Sequence, residues 1–287
     1  MKKGILLAGG TGSRLFPITR GVSKQLLPVY DKPLFYYPLS TLMLANVKDI
    51  LIIVAKENLS IFQSYFGDGS KIGINLSYAV QEKANGIAES LIIGREFIGN
   101  DDVYLILGDN IFYGSGMQDM FNTVNANTES SFVFGSYVTN PSEFGVASYD
   151  DKRSLIIEEK PINPKSNLAV TGLYFYKNNS LSYLDKLKKS KRGELEITDF
   201  NNIIVKNLNM QLMELGRGYA WFDCGTFDNL LDASSFIRTI EKTQGIKIGC
   251  VEEIAYKKGL IDIEQLKKIV NEYNTNNEYK RYLSSLL

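Results

Sequence analysis

The sequence predicts an α/β fold, a doubly wound sheet with helices added at its C-terminal end. Three observations predict it. Short, uniformly apolar runs alternate with segments of helical spacing up to about residue 125; the first run opens into a glycine loop; and another, Val103–Leu107, ends on Gly108-Asp109. An unbroken apolar run marks a strand buried on both faces, and alternation of such strands with helices builds a sheet covered on both sides.

Residues 5–8 form the first strand, and 37–46 follow as a helix with an apolar face of Leu39, Leu42, Met43 and Leu44. Ile50–Val54 is a second buried strand, 58–66 a helix, Gly67-Asp68-Gly69-Ser70 a turn, and 74–80 a strand by its alternation. Asn85-Gly86 signals a turn, after which 87–97 return to helical spacing through Ile87, Leu91, Ile92 and Phe97. Beyond about residue 125 the character changes: 131–138, 144–149, 154–159 and 168–176 read as strands with few helices between them. Helices are expected at 178–189 and 198–207, strands at 210–215 and 219–222, and a long helix at 228–243. The tail is helical at 251–258, 262–272 and 276–286. There is no internal repeat, low-complexity tract or flexible linker, so the layout is one core over 1–243 with a helical extension over 244–287.

Length and composition narrow the function. A chain of 287 residues can bury a sizeable core, and a formal net charge of zero with no basic block argues against nucleic acid as the main partner. Met1-Lys2-Lys3 before an apolar run has the outline of a signal peptide, but the run is shorter than the roughly 7–15 residues an h-region needs. No stretch approaches the ~18 apolar residues of a membrane span, and a cytoplasmic protein is expected. Cys224 and Cys250 are too few for a disulfide scaffold or thiolate zinc site. Histidine is absent, which removes Ser-His-Asp and Cys-His machinery and histidine general bases. Chemistry here must run on carboxylates, Lys and Arg, with or without a hard metal.

The loop itself is Gly4-Ile5-Leu6-Leu7-Ala8-Gly9-Gly10-Thr11-Gly12-Ser13-Arg14-Leu15-Phe16-Pro17, followed by Ser23-Lys24. Glycines let a backbone bring bare N–H groups close to a phosphate, and Arg14 with Lys24 would neutralise its charge. A strand–turn with two surface cations reads equally well from glycine content alone. A Walker A loop fails because no Lys follows the glycines directly. The dinucleotide fingerprint fails because Leu15 stands where its third Gly belongs. What remains, Leu-Ala-Gly-Gly-x-Gly-x-Arg-Leu, then Ser23-Lys24-Gln25-Leu26-Leu27-Pro28 and Lys32-Pro33, resembles the sugar-1-phosphate nucleotidylyltransferases. The extension through Tyr36-Tyr37-Pro38-Leu39-Ser40-Thr41-Leu42-Met43-Leu44-Ala45 is similar to the glucose-1-phosphate thymidylyltransferase branch of that family.

The resemblance implies a Rossmann-like doubly wound mixed sheet of the nucleotide-diphospho-sugar transferase type. The nucleotide-binding half would be about 1–125 and the sugar-phosphate-binding half 126–243. In such enzymes the loop, here Gly9, Gly10, Gly12, Ser13, Arg14 and Lys24, holds a nucleoside triphosphate. Asp109, at the end of an apolar strand, and Asp223, after Tyr219-Ala220-Trp221-Phe222, each read alone as turn residues. Both match the family's Mg²⁺ ligands, in keeping with the one or two carboxylates that Mg²⁺ usually takes beside phosphate oxygens. Cys224 and Phe222 stand where Thr and Leu are usual. Gln81 and Gly86 match the base contacts: a Gln amide accepts from N3–H and donates to O4 of thymine or uracil, and does not tell the two apart. Ile87 and Glu89 replace the usual Leu and Gln there. Glu159 would bind sugar hydroxyls, Lys160 the sugar's phosphate, and Gly145 and Val170 line the sugar. Within Arg192–Asp199, Thr198 or Asp199 is expected to cap the next helix.

The reaction implied is dTTP plus glucose 1-phosphate giving dTDP-glucose and pyrophosphate, with Arg14, Lys24, Asp109 and Lys160 as its catalytic residues. Its product would feed deoxysugar (dTDP-rhamnose type) and surface polysaccharide synthesis. The rivals are the same chemistry with UTP or another sugar phosphate, a dinucleotide-dependent oxidoreductase, and a non-catalytic nucleotide-sugar sensor. The family is commonly a homotetramer with a second, regulatory nucleotide-sugar site. Tyr113, Gly114, Arg217, Lys247 and Glu253 match parts of that site, and Lys257 replaces an Arg.

Overall fold

The computed structural model describes residues 1–10 and 12–287; Thr11 of the glycine loop lies outside them. β1 (Lys2–Ala8) leads through that loop and short 3-10 turns to a small hairpin, β2 (Pro28–Val29) and β3 (Lys32–Pro33), and then to α1 (Tyr36–Leu44). β4 (Asp49–Val54), α2 (Leu59–Phe66), β5 (Asn75–Val80), the short helices α3 (Glu89–Ile93) and α4 (Arg95–Ile98), and β6 (Asp102–Leu107) complete the alternating part. β7 (Asn110–Gly114) and α5 (Met117–Ala126) precede the strand-rich part: β8 (Ser131–Tyr137), β9 (Gly145–Tyr149), β10 (Leu155–Glu159) and β11 (Leu168–Tyr176). Then come α6 (Ile197–Asn207), β12 (Met210–Leu215), β13 (Tyr219–Asp223) and α7 (Phe227–Gln244), and the tail helices α8 (Val251–Lys257), α9 (Ile263–Glu272) and α10 (Glu278–Ser284).

Among the described residues nine strands form one mixed sheet, with the path β10-β9-β11-β6-β1-β4-β5 and with β8 joining β11 to β12. β1 pairs in parallel with β4 on one side and β6 on the other, and β11 then adds antiparallel to β6. The chain therefore winds outward from β1 through β4 to β5, then returns to the far side of β1 at β6. That reversal opens a crevice beyond the carboxyl ends of β1 and β6, the place where open α/β sheets bind ligands. The register Leu7↔Leu107 brings the glycine loop and Gly108-Asp109 out side by side.

The reason these strands are apolar throughout is visible in their two faces. Leu6, Ile52, Val54, Tyr104 and Ile106 pack into one cluster, and Ile5, Leu51, Ile53, Val103 and Leu105 into the cluster on the opposite face. Burying each such side chain contributes about 1.5–3 kcal/mol. The tail belongs to the first cluster, through Cys250, Val251, Ala255, Leu266, Ile269, Val270 and Leu283. Asp262 and Asn277 cap α9 and α10, accepting from Gln265 N and Lys280 N at 2.8 Å each.

Several expectations change. The helix expected over 87–97 is two pieces broken at Gly94, where a methyl group would meet Ile5 Cδ1 at 2.6 Å. The helix expected over 178–189 is a 3-10 helix, Asn178–Lys186. Neither Thr198 nor Asp199 caps α6, whose flanking residue is Glu196 and which has no side-chain cap. The sequence reading places nothing between 108 and 125, whereas β7 and α5 lie there, with β7 pairing β13 in a separate two-stranded ribbon. The β2–β3 hairpin also goes unpredicted.

Candidate active site

The loop after β1 turns at Gly12, whose φ of 62° favours glycine. Gly10 faces open space, so its backbone is free to meet a ligand. Gly9 is closed in: a methyl group there would run into Gln81 Oε1. Ser13 begins a 3-10 turn that carries Arg14. The Arg14 guanidinium lies against Gly225, where a methyl group would meet Nη2 at 2.7 Å. Gly225 is therefore small because an arginine from the far end of the chain needs the space.

Lys24 is buried, and its ammonium pairs with Asp109 Oδ2. Burial pulls the Lys24 ammonium down, but the Asp109 carboxylate beside it, with Asp223 close by, holds it above the ordinary range. Burial likewise pushes Asp109 up, and Lys24 more than offsets this and keeps it low. Asp223 behaves oppositely. Burial and then the like charge of Asp109 push it up to about 6, partly offset by Lys24, Arg14 and Lys160. The strand pair β7–β13 brings the two aspartates together: Asp223 is opposite Asn110, and Cys224 N donates to Asp109 O at 2.9 Å. Cys224 itself is fully buried in an apolar cluster with Ile111, Ala233 and Ile237, a packing residue.

Asn110 orients Asp109, a role that the sequence reading does not assign. Its Nδ2 donates to Asp109 Oδ1 at 2.9 Å, while its Oδ1 accepts from Trp221 Nε1 at 2.6 Å and Gly172 N at 3.0 Å. With Lys24 on Oδ2 and Asn110 on Oδ1, the Asp109 carboxylate has both oxygens held. Among the described residues the Asp223 carboxylate makes no hydrogen bond or ion pair, and only its backbone O accepts, from Asn229 Nδ2 at 2.8 Å. A half-buried carboxylate beside a second one, with oxygens to spare, is the donor chemistry of a hard divalent cation.

The second group gathers across the sheet. Glu159, at the end of β10, accepts from Thr198 Oγ1 at 2.6 Å and lies 3.4 Å from Arg192 Nη2. A methyl group on Gly145 would meet Thr198 Oγ1 at 3.3 Å and Glu159 Oε2 at 3.6 Å, and Gly145 pairs with Val170. Thr198, expected as a cap, instead orients Glu159. Lys160 is exposed, has a φ of 43°, and donates its backbone N–H to Phe144 O at 3.0 Å. Phe144 in turn sits edge-on against Trp221, 5.1 Å between ring centres.

On the other side of the loop, buried Gln81 follows β5, its Nε2 donating to Glu89 Oε2 at 2.7 Å. Gly86 has a φ of 111°, and the close approach that requires glycine there is made by Leu195, whose N lies 2.7 Å from where a methyl group would stand. Most of the residues matched to a second ligand site have internal partners. Tyr113 OH donates to Gln244 Oε1 at 3.1 Å, Gly114 packs against Tyr219, and Arg217 is exposed between β12 and β13. Lys247 pairs with Asp31 and Glu241 at 2.6 and 2.8 Å, and Glu253 accepts from Tyr282 OH at 2.7 Å and pairs with Lys257.

Comparison with known proteins gives the family. The model of the nucleotidyl transferase family matches residues 3–240. The chain is 50% identical over 286 residues to a glucose-1-phosphate thymidylyltransferase of Neisseria meningitidis serogroup A, covering 99% of each. It is 46% identical to the protein of that name from Mycobacterium tuberculosis, again covering 99% of each. A Bacillus anthracis protein, crystallised with sucrose and described under the glucose-1-phosphate thymidylyltransferase name, superposes with a TM-score of 0.77 at 42% identity, covering 83% of this chain and 96% of that one. A UDP-glucose pyrophosphorylase bound to UDP-glucose shares the fold, with a TM-score of 0.73 at 24% identity over 84% of this chain and 99% of its own. With the family matched from Lys3 to Ile240 and relatives half identical along nearly the whole chain, this protein belongs to the nucleotidyl transferase family.

Proposed function

We infer that the chain transfers a thymidylyl group from dTTP to glucose 1-phosphate, releasing pyrophosphate and forming dTDP-glucose. One observation carries the chemistry: at the sheet's reversal Lys24 pairs with Asp109, Asp223 is beside them, and Arg14 lies against Gly225, two residues from Asp223, in a chain without histidine. Nucleotidyl transfer between phosphates suits such a site. A phosphate oxygen of glucose 1-phosphate forms a bond to the α-phosphorus of dTTP as the bond to the bridging oxygen of the leaving pyrophosphate breaks. With a second pKa of about 6, the attacking phosphate is already mostly ionised at neutral pH, so no general base is required. The protein's task is positioning and neutralising charge.

In this reading Lys160 holds the sugar's phosphate, and Glu159, Gly145 and Val170 hold the sugar. Arg14 and Lys24 stabilise the charge on the triphosphate and the leaving pyrophosphate, over the backbone of Gly9, Gly10, Gly12 and Ser13. Asp109 and Asp223 would hold Mg²⁺, which when bound neutralises phosphate charge and makes the α-phosphorus more electrophilic. Asn110 acts through Asp109. Asn110→Ala removes the donor on Oδ1 and strands the Trp221 indole N–H and the Gly172 N–H, so the melting midpoint should fall by several degrees and pyrophosphate release per folded enzyme should fall about 10- to 100-fold. A wild-type rate would remove the positioning role.

The reaction is tested by pyrophosphate release with each triphosphate against a panel of sugar 1-phosphates. The dTTP and glucose 1-phosphate pair should be fastest, with purine triphosphates slower by about 100-fold or more, since a purine offers Gln81 the wrong edge. A faster rate with UTP would overturn the thymidylyl assignment and leave the transfer chemistry standing. Absence of release with every triphosphate would favour the non-catalytic sensor.

A further inference from the structure

We propose that Glu89 is a specificity-determining residue for the nucleotide base, acting by fixing which end of the Gln81 amide faces the site. The inference rests on the reading that Gln81 meets the base. Glu89 stands in the first turn of α3, and both its oxygens accept from amides: Oε2 from Gln81 Nε2 and Oε1 from Asn85 Nδ2, each at 2.7 Å. A carboxylate only accepts. Gln81 must therefore turn its nitrogen toward Glu89, which leaves Oε1 on the opposite side, against Gly9 of the nucleotide loop. The backbone around the pair is fixed too: Gln81 N donates to Val54 O at 2.8 Å, and Leu195 N donates to Asn85 O at 2.6 Å.

The orientation has a chemical consequence. Oε1 held toward the nucleotide accepts from N3–H, which thymine and uracil carry at neutral pH and cytosine does not. The remaining Nε2 hydrogen serves their O4. Cytosine, with an acceptor at N3 and an amine at C4, needs the amide turned over. Turning it would set the oxygen of the buried Gln81 amide against a half-buried Glu89 carboxylate oxygen, two acceptors with no proton between them. Glu89 thus excludes the cytosine-compatible orientation without touching the base. Thymine and uracil are left undistinguished by this device, and their separation lies elsewhere in the site.

The test is kcat/KM for dTTP and for dCTP, both with glucose 1-phosphate, in three proteins. In Glu89→Gln the new amide can either accept from or donate to Gln81, so both orientations become available and the dTTP:dCTP ratio should fall at least about tenfold. In Glu89→Ala the amide is free and the ratio should fall as well. A residue that only stapled the 81–89 loop would, when cut, slow both nucleotides alike; an unchanged ratio in both variants overturns the proposal. Gln81→Met separates this from failure of the underlying reading. If Gln81→Met raises the KM for dTTP while the Glu89 variants keep the ratio, base recognition by Gln81 stands and the orientation device falls. If Gln81→Met leaves the KM for dTTP unchanged, both fall. Because each ratio is measured within one protein, partial loss of folded enzyme cancels from it.

Discussion

Asp109→Asn should lower pyrophosphate release by on the order of 10³-fold, the size of effect seen when a preorganised charge is removed from a reacting centre. The substitution keeps the shape and removes the charge that Lys24 and the cation site both use. Lys24 is buried and loses its ion-pair partner, leaving Asp223 as the nearby anion. Magnesium titration separates the causes. If Asp109 holds the cation, the variant should need a higher magnesium concentration for its residual rate. If Asp109 serves only to place Lys24, the magnesium dependence should match wild type, and the metal assignment is wrong. Asp223→Asn gives the complementary result. Asp223 is a half-buried carboxylate repelled by Asp109, so neutralising it should leave the melting midpoint unchanged or raise it while activity falls. Loss of rate without loss of stability is the signature of a group kept for function at some cost to folding.

The sequence makes β1, β4 and β6 legible because each is covered on both faces, so neither face needs polar residues and the run stands out. It hides β7. Asn110–Gly114 begins in a triplet of turn formers and pairs only with β13, whose first residue is more than a hundred positions away. α5 did leave a signal: Met117, Phe121 and Val124 are its buried residues and recur at helical spacing. Gly94 divides a stretch of good helical spacing because it must pass close to Ile5, a constraint set by packing. The site divides in the same way. Arg14, Lys24, Asp109 and Asp223 read alone as surface cations and turn residues, and only the resemblance of the segments around them singles them out. Asn110, Thr198 and Glu89 meet Asp109, Glu159 and Gln81 through side-chain geometry, and those pairings become visible only when the chain is folded. Gly86 shows the limit of reading a glycine: what presses on it is the chain's own Leu195.

Glu241→Ala should be the most destabilising single change in the molecule's polar interior. Glu241 lies in α7 and accepts from Lys32 Nζ at 3.1 Å, Lys247 Nζ at 2.8 Å and Ile248 N at 2.9 Å. Asp31 pairs with the same two lysines, at 2.5 and 2.6 Å, and the lysine side chains are only 3% and 4% exposed. Glu278, itself exposed, adds a weaker pair to Lys247 at 3.3 Å. Removing Glu241 leaves the two buried ammoniums with Asp31 as their one remaining largely buried carboxylate, an imbalance expected to cost about 3 kcal/mol. For a chain of this size that is a fall of roughly 10 °C in the melting midpoint. The loss should be constant across neutral pH. Burial raises the Asp31 carboxyl, but Lys32 and Lys247 more than offset it, so its contribution fails only as pH drops below the ordinary carboxylate value of about 4. Lys247 is raised by Asp31 and Glu241 against the effect of burial, so its contribution fails only in strong alkali. If imbalance is the cause, removing one cation as well should repair it. Lys32→Met with Glu241→Met leaves Lys247 paired with Asp31 and with the exposed Glu278, and the midpoint should recover most of what Glu241→Ala loses. The repair has a functional readout, because the hairpin carrying Lys32 is joined to the Lys24 segment through Leu34 N to Leu27 O and Phe35 N to Gln25 O, both 2.9 Å. Recovery of the midpoint together with the KM for dTTP would mean that charge balance alone holds that hairpin. Recovery of the midpoint without the KM would mean that Lys32 itself sets where Lys24 stands.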